Sequence, residues 1–213
     1  SDNICPWCFV GKRNLESALS KLDKSRVDVN IKWTAFELDP SLSKDKPMDK
    51  KARYQAKFGG KSKMLMNQMN NVGLSCEPPI RFKWDGVIGN TFASHRLVSY
   101  AEKANKVNET VEMIMHYYFE LNQDISDIGV LAEIGDKVGL SKVGEFLKSD
   151  ELADEVGKQL KRSRQDLQVT GVPTFILNGK ERFSGGRAPD FFLMTFQKMG
   201  LYEFKASDFD EDD

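Results

Sequence analysis

The sequence predicts an α/β fold in which a block of helices interrupts a smaller unit that carries the strands. Four observations predict it. Apolar residues recur at helical spacing shortly after Cys5, and they alternate with polar residues over residues 27–38. Two short apolar runs flank Asn178 and Gly179 towards the other end of the chain. Between these strand-like regions, the long middle of the chain shows helical periodicity.

Composition is that of a soluble globular protein and excludes several classes. The 213 residues are 40% hydrophobic and 30% charged, with a formal net charge of −1. This balance predicts neither a nucleic-acid partner nor a membrane surface. No apolar run reaches the ~20 residues that span a bilayer, and no charged-then-apolar leader is visible after Ser1.

The first helix is predicted to begin at the sequence Cys5-Pro6-Trp7-Cys8. Pro6 would lie in the first turn, where its missing N–H is harmless. The apolar positions that define the helix are Leu15, Ala18, Leu19 and Leu22. The alternation over residues 27–38 then predicts a strand, which ends before Pro40.

Residues 50–164 are predicted to be mostly helical. One helix over 51–69 is interrupted by Gly59 and Gly60, and residues 73–89 are expected to form an irregular loop. The other expected helices follow Asn90 and Thr91, include residues 107–119, run from Ser126 and Asp127 to Gly139, and run from Ser149 to about Leu167.

Strands return near the end of the chain. Residues 174–178 and 181–184 are predicted to form a hairpin, because Asn-Gly between two apolar runs is a strong turn signal. A last helix begins at Pro189, and the acidic residues 208–213 are expected to be disordered.

The order of elements predicts a thioredoxin-like fold with an inserted helical domain. The expected parts are 1–40 and 169–202 for the core, 41–168 for the helical insertion and 203–213 for an acidic tail. The central strand of such a core should precede the Cys5 helix, but only residues 1–4 stand there. We therefore expect an apolar strand upstream of Ser1.

The three cysteines are Cys5, Cys8 and Cys76. A low and odd number of cysteines is not typical of a domain stabilised by several disulfides. His95 and His116 add two potential zinc ligands, but only Cys5 and Cys8 stand at ligand spacing, so no metal site is predicted. A redox pair is the favoured interpretation. The alternatives are a chance pair and a structural disulfide, and Cys76 is expected to be inert, with a regulatory thiol as the minority interpretation.

The CPWC segment predicts disulfide exchange. Unpaired N–H groups and the helix dipole meet at Cys5, which should lower its pKa below the ~8.5 of a free cysteine. Cys5 is therefore the expected nucleophile, and Cys8, one turn further on, would resolve the mixed disulfide. Pro6 and Trp7 are expected to set the exposure of the pair at the substrate-binding surface.

Val172 and Pro173 precede the predicted hairpin and form the second element of the site. Either Pro173 simply begins the strand, or the bond between the two residues is cis. A cis bond would turn the Val172 backbone outward, where it would pair with an extended substrate segment.

Five segments together resemble the DsbA family of thioredoxin-fold oxidoreductases, in its FrnE-like branch. They are SDNICPWCFVGKRNLESAL at the start, FELDP at 36–40, GNTFASHRLVSYA at 89–101, DISD at 124–127 and GVPTFILN at 171–178. The resemblance implies a dithiol active site at Cys5 and Cys8, a cis proline at Pro173, protein or peptide thiols as partners, and a cytoplasmic location.

One departure from the family pattern concerns glutathione. Gly185-Gly186-Arg187 stands where members of the family commonly have Gly-Ala-Gln. The superfamily includes 2-hydroxychromene-2-carboxylate isomerases and kappa-class glutathione transferases, in which this segment helps to hold the γ-glutamyl group. We expect no bound cofactor, but the resemblance allows glutathione as a redox partner contacted by Ser184 and Arg187. It also leaves a glutathione-dependent isomerase or transferase as the alternative function, which Cys5 and Cys8 disfavour.

Two questions stay open at the level of the sequence. His95, on the helix after Asn90, either faces the active-site cleft near Cys5 or packs between the domains. Oxidases, reductases and isomerases share these residues, so the direction of electron flow is not predicted. A non-enzymatic binding module that keeps the fold is a third interpretation.

Overall fold

The computed structural model describes residues 1–204 and is mainly helical. The helices are α1 Pro6–Ser20, α2 Lys50–Phe58, α3 Ser62–Leu74, α4 Phe92–Ala101, α5 Val107–Phe119, α6 Ile128–Lys137, α7 Val143–Lys148, α8 Ala153–Gln165 and α9 Pro189–Lys198. The strands are β1 Met48–Asp49, β2 Val87–Ile88, β3 Thr174–Leu177 and β4 Glu181–Ser184. Most of the predicted acidic tail lies outside the described residues.

The predicted hairpin at 174–184 is confirmed. β3 and β4 are antiparallel, with Thr174 opposite Ser184 and Leu177 opposite Glu181. Asn178 and Gly179 both have positive φ, 49° and 69°. A two-residue hairpin turn with this backbone matches the natural twist of the strands, and Asn-Gly adopts it at low cost.

The predicted helices are also found, and their ends follow from local chemistry. The Asp127 side chain accepts a hydrogen bond from Val130 N at 2.9 Å and so caps α6. Gly59 and Gly60 lie in the short 3-10 turn that separates α2 from α3. The expected loop at 73–89 contains one unpredicted feature, since β2 pairs with β1 over two residues.

The predicted strand over residues 27–38 is wrong, because this segment pairs with no other strand in the described part of the chain. A strand needs a neighbour to take its N–H and C=O groups. Here a slot of about 330 Å³ lies between residues 27–34 on one side and β3 on the other. Leu15 and Leu19 of α1 also line the slot, which we call the sheet slot. The strand expected upstream of Ser1 stays a prediction.

Helix α1 lies between two hydrophobic clusters. Its front half joins the main cluster through Cys8 and Phe9, together with residues of the central helices such as Leu97 and Ile114. Its rear half packs with α9 in a smaller cluster, whose buried members are Ala18, Leu22, Phe192, Leu193, Phe196 and Tyr202. The main cluster runs across residue 40, and the domain boundaries proposed from the sequence stay predictions.

Charged groups fix α1 to α5. The buried Lys12 ammonium bonds Glu112 of α5 at 2.8 Å and Glu16 at 2.6 Å, and Arg13 bonds the same Glu112 carboxylate. Because a buried cation is costly without a partner, Glu112 holds the start of α1 in one orientation.

Helix α7 was not predicted, and the buried Arg96 explains why it is stable. The Arg96 guanidinium donates to the carbonyl oxygens of Phe146 and Leu147 at 3.2 Å and of Ser149 at 2.6 Å. These carbonyls lie at the end of α7, where a helix has no intrahelical donors.

No described helix combines the length and hydropathy that a transmembrane span requires.

Candidate active site

Cys5 and Cys8 lie at the start of α1, as predicted. Cys5 is the residue just before the helix, Pro6 is in its first turn, and Cys8 N donates to Cys5 O at 3.0 Å. Both cysteines are free thiols, and they are 3% and 1% exposed. The structure therefore shows the reduced form, with both sulfurs nearly out of contact with water.

The loop before β3 reaches these cysteines. The peptide bond between Val172 and Pro173 is cis, in agreement with the prediction. Cys5 Sγ lies 3.4 Å from Val172 O, although 167 positions separate the two residues in sequence. Thr174 Oγ1 donates to Gly171 O at 2.7 Å and fixes the loop from the other side. The fold thus brings together the two segments that the sequence singled out.

Gly11 allows this close approach, and the sequence interpretation missed it. A Cβ at Gly11 would lie 3.0 Å from Phe175 Cζ and 3.1 Å from Pro173 Cγ. Glycine inside a helix costs about 1 kcal/mol relative to alanine. A glycine six residues after Cys5 is therefore a usable signal that another segment packs closely against α1.

Trp7 marks the rim of the site and contacts the segment after β4. A Cβ at Gly186 would lie 2.8 Å from Trp7 Cε3 and 3.1 Å from Trp7 O. The exposed Arg187 follows directly, and its Nε donates to Ser184 O at 3.0 Å. Ser184 Oγ lies 2.8 Å from Thr174 Oγ1. Ser184 and Arg187 therefore lie on the same rim as Trp7.

The proton distribution between the two thiols differs from the prediction. The hydrogen bond that Cys5 donates to Cys8, together with burial, raises the pKa of Cys5 well above its usual range. Burial also acts to raise the pKa of Cys8, but that hydrogen bond, the Ser1 amino group and the Asp2 N–H outweigh it and lower the pKa. The expected low pKa at Cys5 is thus wrong for the reduced form, because the helix-start argument ignored the neighbouring sulfur.

His95 is buried behind the dithiol rather than exposed in a cleft. Its ring is 4% exposed, and its Nε2 lies 3.1 Å from Phe36 O and 3.5 Å from Asp2 Oδ1. Asp2 is fully buried, and its Oδ2 accepts a hydrogen bond from Leu38 N at 2.7 Å. The sequence interpretation missed Asp2, although a carboxylate three residues before a buried cysteine is unusual enough to be a signal.

The remaining cysteine and histidine lie outside the site. His116 Nδ1 is 2.8 Å from Oε2 of Glu120, the residue that follows α5. Cys76 is buried, its Sγ lies 3.4 Å from Val72 O, and burial raises the pKa of its thiol. Within residues 1–204, no cluster of three His, Cys, Asp or Glu side chains is placed to hold a metal ion.

Known proteins resemble this chain along nearly its whole length. The family model described as a DSBA-like thioredoxin domain matches residues 1–197. An uncharacterized protein of Bacillus subtilis (strain 168), YwbO, is 28% identical over 198 residues, which cover 90% of each chain.

Two solved structures are also similar. A probable DsbA oxidoreductase from Streptomyces coelicolor has a TM-score of 0.84 and 28% identity, covering 96% of this chain and 90% of its own. The cytosolic disulfide reductase DsbM from Pseudomonas aeruginosa with GSH has a TM-score of 0.61 and 15% identity, covering 94% of this chain and 96% of its own. With the family model matching most of the chain, this protein belongs to the DSBA-like thioredoxin domain family.

Proposed function

We propose that the protein is a thiol–disulfide oxidoreductase that exchanges disulfides with protein or peptide thiols through Cys5 and Cys8. The observation that carries the proposal is the position of Cys5 Sγ, 3.4 Å from the backbone oxygen of Val172 and one helical turn before Cys8. This arrangement supports the proposal, because two thiols and the Val172 backbone lie within one small region.

The first step makes use of the hydrogen bond between the two thiols. Cys5 Sγ attacks one sulfur of a substrate disulfide while its proton moves to the Cys8 sulfur. The substrate S–S bond breaks, one substrate thiolate leaves, and Cys5 forms a mixed disulfide with the other half. The lowered pKa favours the ionised form of Cys8, which is the form that accepts a proton.

The second step resolves the mixed disulfide. Cys8 Sγ attacks Cys5 Sγ, the bond to the substrate breaks, and the Cys8 proton passes to the departing sulfur, so that the second half of the substrate leaves as a thiol. The protein has then lost two electrons to form the Cys5–Cys8 disulfide, and the substrate has gained them as two thiols. The same steps in reverse oxidise a substrate dithiol, so the reduction potential sets the direction.

Val172 is the proposed docking point for the substrate backbone. Its side chain is only partly buried, and its carbonyl oxygen lies against the reacting sulfur. An extended peptide that pairs with the Val172 backbone would hold its own sulfur next to Cys5. Pro6 and the partly exposed Trp7 would form the adjoining surface of the peptide site.

Glutathione is the proposed small-molecule redox partner. The exposed guanidinium of Arg187 lies over the Phe191 ring at 5.0 Å, which leaves it near Ser184 on the rim of the site. A guanidinium in this position suits the carboxylates of glutathione. We also propose a cytoplasmic location, which the likeness to a cytosolic reductase supports.

Reduction of insulin by the purified protein tests the function. Cys5→Ser should lower the rate at least 100-fold and Cys8→Ser should abolish turnover, whereas the matched control Cys76→Ser should leave the rate unchanged. Full activity in Cys5→Ser would overturn the proposal. Glutathione-dependent turnover of an isomerase or transferase substrate that survives Cys8→Ser would favour the alternative function.

A further inference from the structure

Positive charge is concentrated where α2 turns into α3. Residues 50–74 contain six basic residues and no acidic one, although the whole chain has a formal net charge of −1. Lys51 and Arg53 each pair with an aspartate. The remaining exposed cations of this stretch are Lys57, Lys61 and Lys63. Within residues 1–204, none of these three ammonium groups has a carboxylate at ion-pair distance.

Large apolar side chains lie between these cations in the sequence and are exposed with them. Phe58 is 38% exposed and Met64 is 60% exposed, and Lys57 Nζ lies over the Phe58 ring at 5.5 Å from its centroid. A Cβ at Gly59 or Gly60 would meet no atom within 4 Å, so no described segment covers this turn. The residues that we call the basic corner are Lys57, Phe58, Lys61, Lys63 and Met64.

A row of aromatic rings connects the basic corner to the active-site helix. Phe9 directly follows Cys8, and the row begins with its ring. The successive ring centroids are 6.4, 5.8, 5.0 and 5.6 Å apart along the row, which consists of Phe9, Phe82, Trp84, Tyr54 and Phe58. Trp84 Nε1 also donates to Asn70 Oδ1 at 2.8 Å, which fixes α3 to the same row. The basic corner is therefore held in a defined position relative to the cysteines.

The helices that carry the basic corner also approach the site at two other points. Burial and, to a smaller extent, the charge of Cys5 raise the pKa of Tyr54, so the two side chains are near enough for their charges to interact. Cys76, just beyond α3, has its Sγ 3.8 Å from Asn14 Oδ1, and Asn14 Nδ2 donates to Arg187 O at 2.8 Å. Since Arg187 lies on the rim of the site, α2 and α3 lie beside that rim.

Resting on the proposed function, we propose that the basic corner is a docking surface for substrate peptides that carry acidic residues beside their disulfide. Its exposed ammonium groups pair with Glu or Asp side chains of the peptide. Phe58 and Met64 contact a neighbouring apolar side chain, and methionine adapts its shape to different partners. Lysines on an open surface act as point charges, so they favour acidic segments without requiring one sequence.

The distribution of charge favours a peptide over a larger polyanion. The six basic residues of 50–74 are set in a chain whose net charge is −1, so the rest of the chain is acidic as a whole. An extended anionic surface, such as a nucleic acid or an anionic membrane, would meet this acidic remainder and be repelled. A short acidic segment contacts the basic corner alone.

Three peptide disulfides of equal length test the proposal. Their disulfide is flanked by Glu, by Gln or by Lys residues, and each is mixed in excess with the reduced protein. Acid quenching and mass spectrometry give the rate at which the protein is oxidised. At low salt, the Glu peptide should react roughly 10-fold faster than the Gln peptide, the lower end of the range for electrostatic steering, and the Lys peptide should react most slowly. In ~1 M salt, which screens charges beyond ~3 Å, the preference should fall to about two-fold or less.

Substitution of the lysines assigns the preference to the basic corner. The combined variant Lys57→Gln, Lys61→Gln and Lys63→Gln should react equally fast with the Glu and Gln peptides, and its rate with the Gln peptide should equal that of wild type. The loss should appear in the concentration of Glu peptide that half-saturates the rate, because these lysines do not touch the reacting sulfurs. The matched control makes the same change of charge at three exposed lysines of other helices, Lys137, Lys148 and Lys158. It should keep the full preference for the Glu peptide.

The possible failures separate the two claims. If wild type reacts with none of the peptides, the proposed function itself is wrong. If it reacts with all three at one rate, or if the control variant loses the preference as fully as the basic-corner variant does, the docking surface alone is wrong. Equal rates with the peptides, together with binding to phosphatidylserine vesicles that the basic-corner variant loses, would replace the acidic peptide by a membrane and would also overturn the proposal.

Discussion

The two sides of α1 differ in how completely they are filled. On the helical side, Phe9 and Phe119 are 0% exposed and stack at 6.0 Å between ring centroids. On the strand side, the sheet slot leaves a volume of about 330 Å³, and Val29 and Ile176 at its margins are more than 40% exposed. Packing is complete on one side and open on the other.

This difference shows where rigidity comes from at the active site. The front of α1, with both cysteines, belongs to the filled helical side. The Val172 side chain, next to Cys5, also packs against the main cluster, and both Cys8 and Val172 line the sheet slot. We infer that the helical packing holds both cysteines in place.

The largest expected contrast comes from truncating one apolar side chain on each side. Phe119→Ala removes a fully buried ring and should lower the free energy of unfolding by roughly 3–5 kcal/mol. Ile176→Ala, at the sheet slot, should change it by about 0.5 kcal/mol or less. Urea denaturation of both variants measures the contrast, and equal losses would show that the slot side is as tightly packed as the helical side.

The burial of Lys50, on the helical side, predicts that the free energy of unfolding depends on pH. Burial lowers the pKa of Lys50 to about 8, and its Nζ donates to Tyr118 O at 2.9 Å. Between about pH 8 and the usual value near 10.4, the unfolded chain binds more protons at this residue than the folded one. The stability contributed by this residue should therefore rise with pH across that window.

The size of this effect follows from the two pKa values. The total change is at most roughly 3 kcal/mol. Unfolding free energies of wild type and Lys50→Met, compared at pH 7.5 and pH 10, isolate it from other titrating groups. Relative to Lys50→Met, wild type should gain stability at the higher pH. A constant difference between the two proteins would show that Lys50 titrates alike in both states.

A pair of glycine substitutions compares close contacts on the two sides. Gly186→Ala places a Cβ 2.8 Å from Trp7 and should cost about 1–3 kcal/mol. It should also slow disulfide exchange, because Trp7 must shift. Gly144→Ala in α7 meets only Ala132 Cβ at 3.6 Å and should be neutral or slightly stabilising. Thermal unfolding and insulin reduction measure both effects. Unchanged stability and activity in Gly186→Ala would show that the rim of the site accommodates an added methyl group.

The smallest expected effect comes from filling the sheet slot. A designed segment of five alternating apolar residues, joined ahead of Ser1, should pair with the open edges of β3 and of residues 27–34. Net stabilisation of about 1 kcal/mol would raise the midpoint of thermal unfolding by roughly 2–4 °C. A Gly-Ser segment of equal length is the control. Equal midpoints for the two fusions would show that the slot does not accept a strand.

Elements whose signals are local could be predicted from the sequence. The hairpin at Asn178 and Gly179, the cap at Asp127 and the helix after Pro6 each depend on a few neighbouring residues. The approach of Val172 to Cys5 is not local, and it could be predicted only through the resemblance to a family. The predictions of local elements are correct because local backbone preferences and the fold agree.

Features that depend on distant partners could not be predicted. Residues 27–38 have the alternation of a strand, but alternation cannot supply the neighbour that a sheet needs. Helix α7 depends on Arg96, about fifty positions earlier in the chain. The pKa order of Cys5 and Cys8 depends on which sulfur donates the shared hydrogen. The position of Asp2 depends on its burial beside His95, which is about ninety positions later in the chain.

The central claim is that Cys5 attacks and Cys8 resolves, and trapping the intermediate tests it most directly. Cys8→Ser is mixed with a peptide disulfide, quenched with acid and digested, and the adducts are located by mass spectrometry. We predict a stable mixed disulfide on Cys5, whereas Cys5→Ser should trap none on Cys8 or on the buried Cys76. No adduct on Cys5, or an adduct that forms equally well on Cys76, would contradict the account.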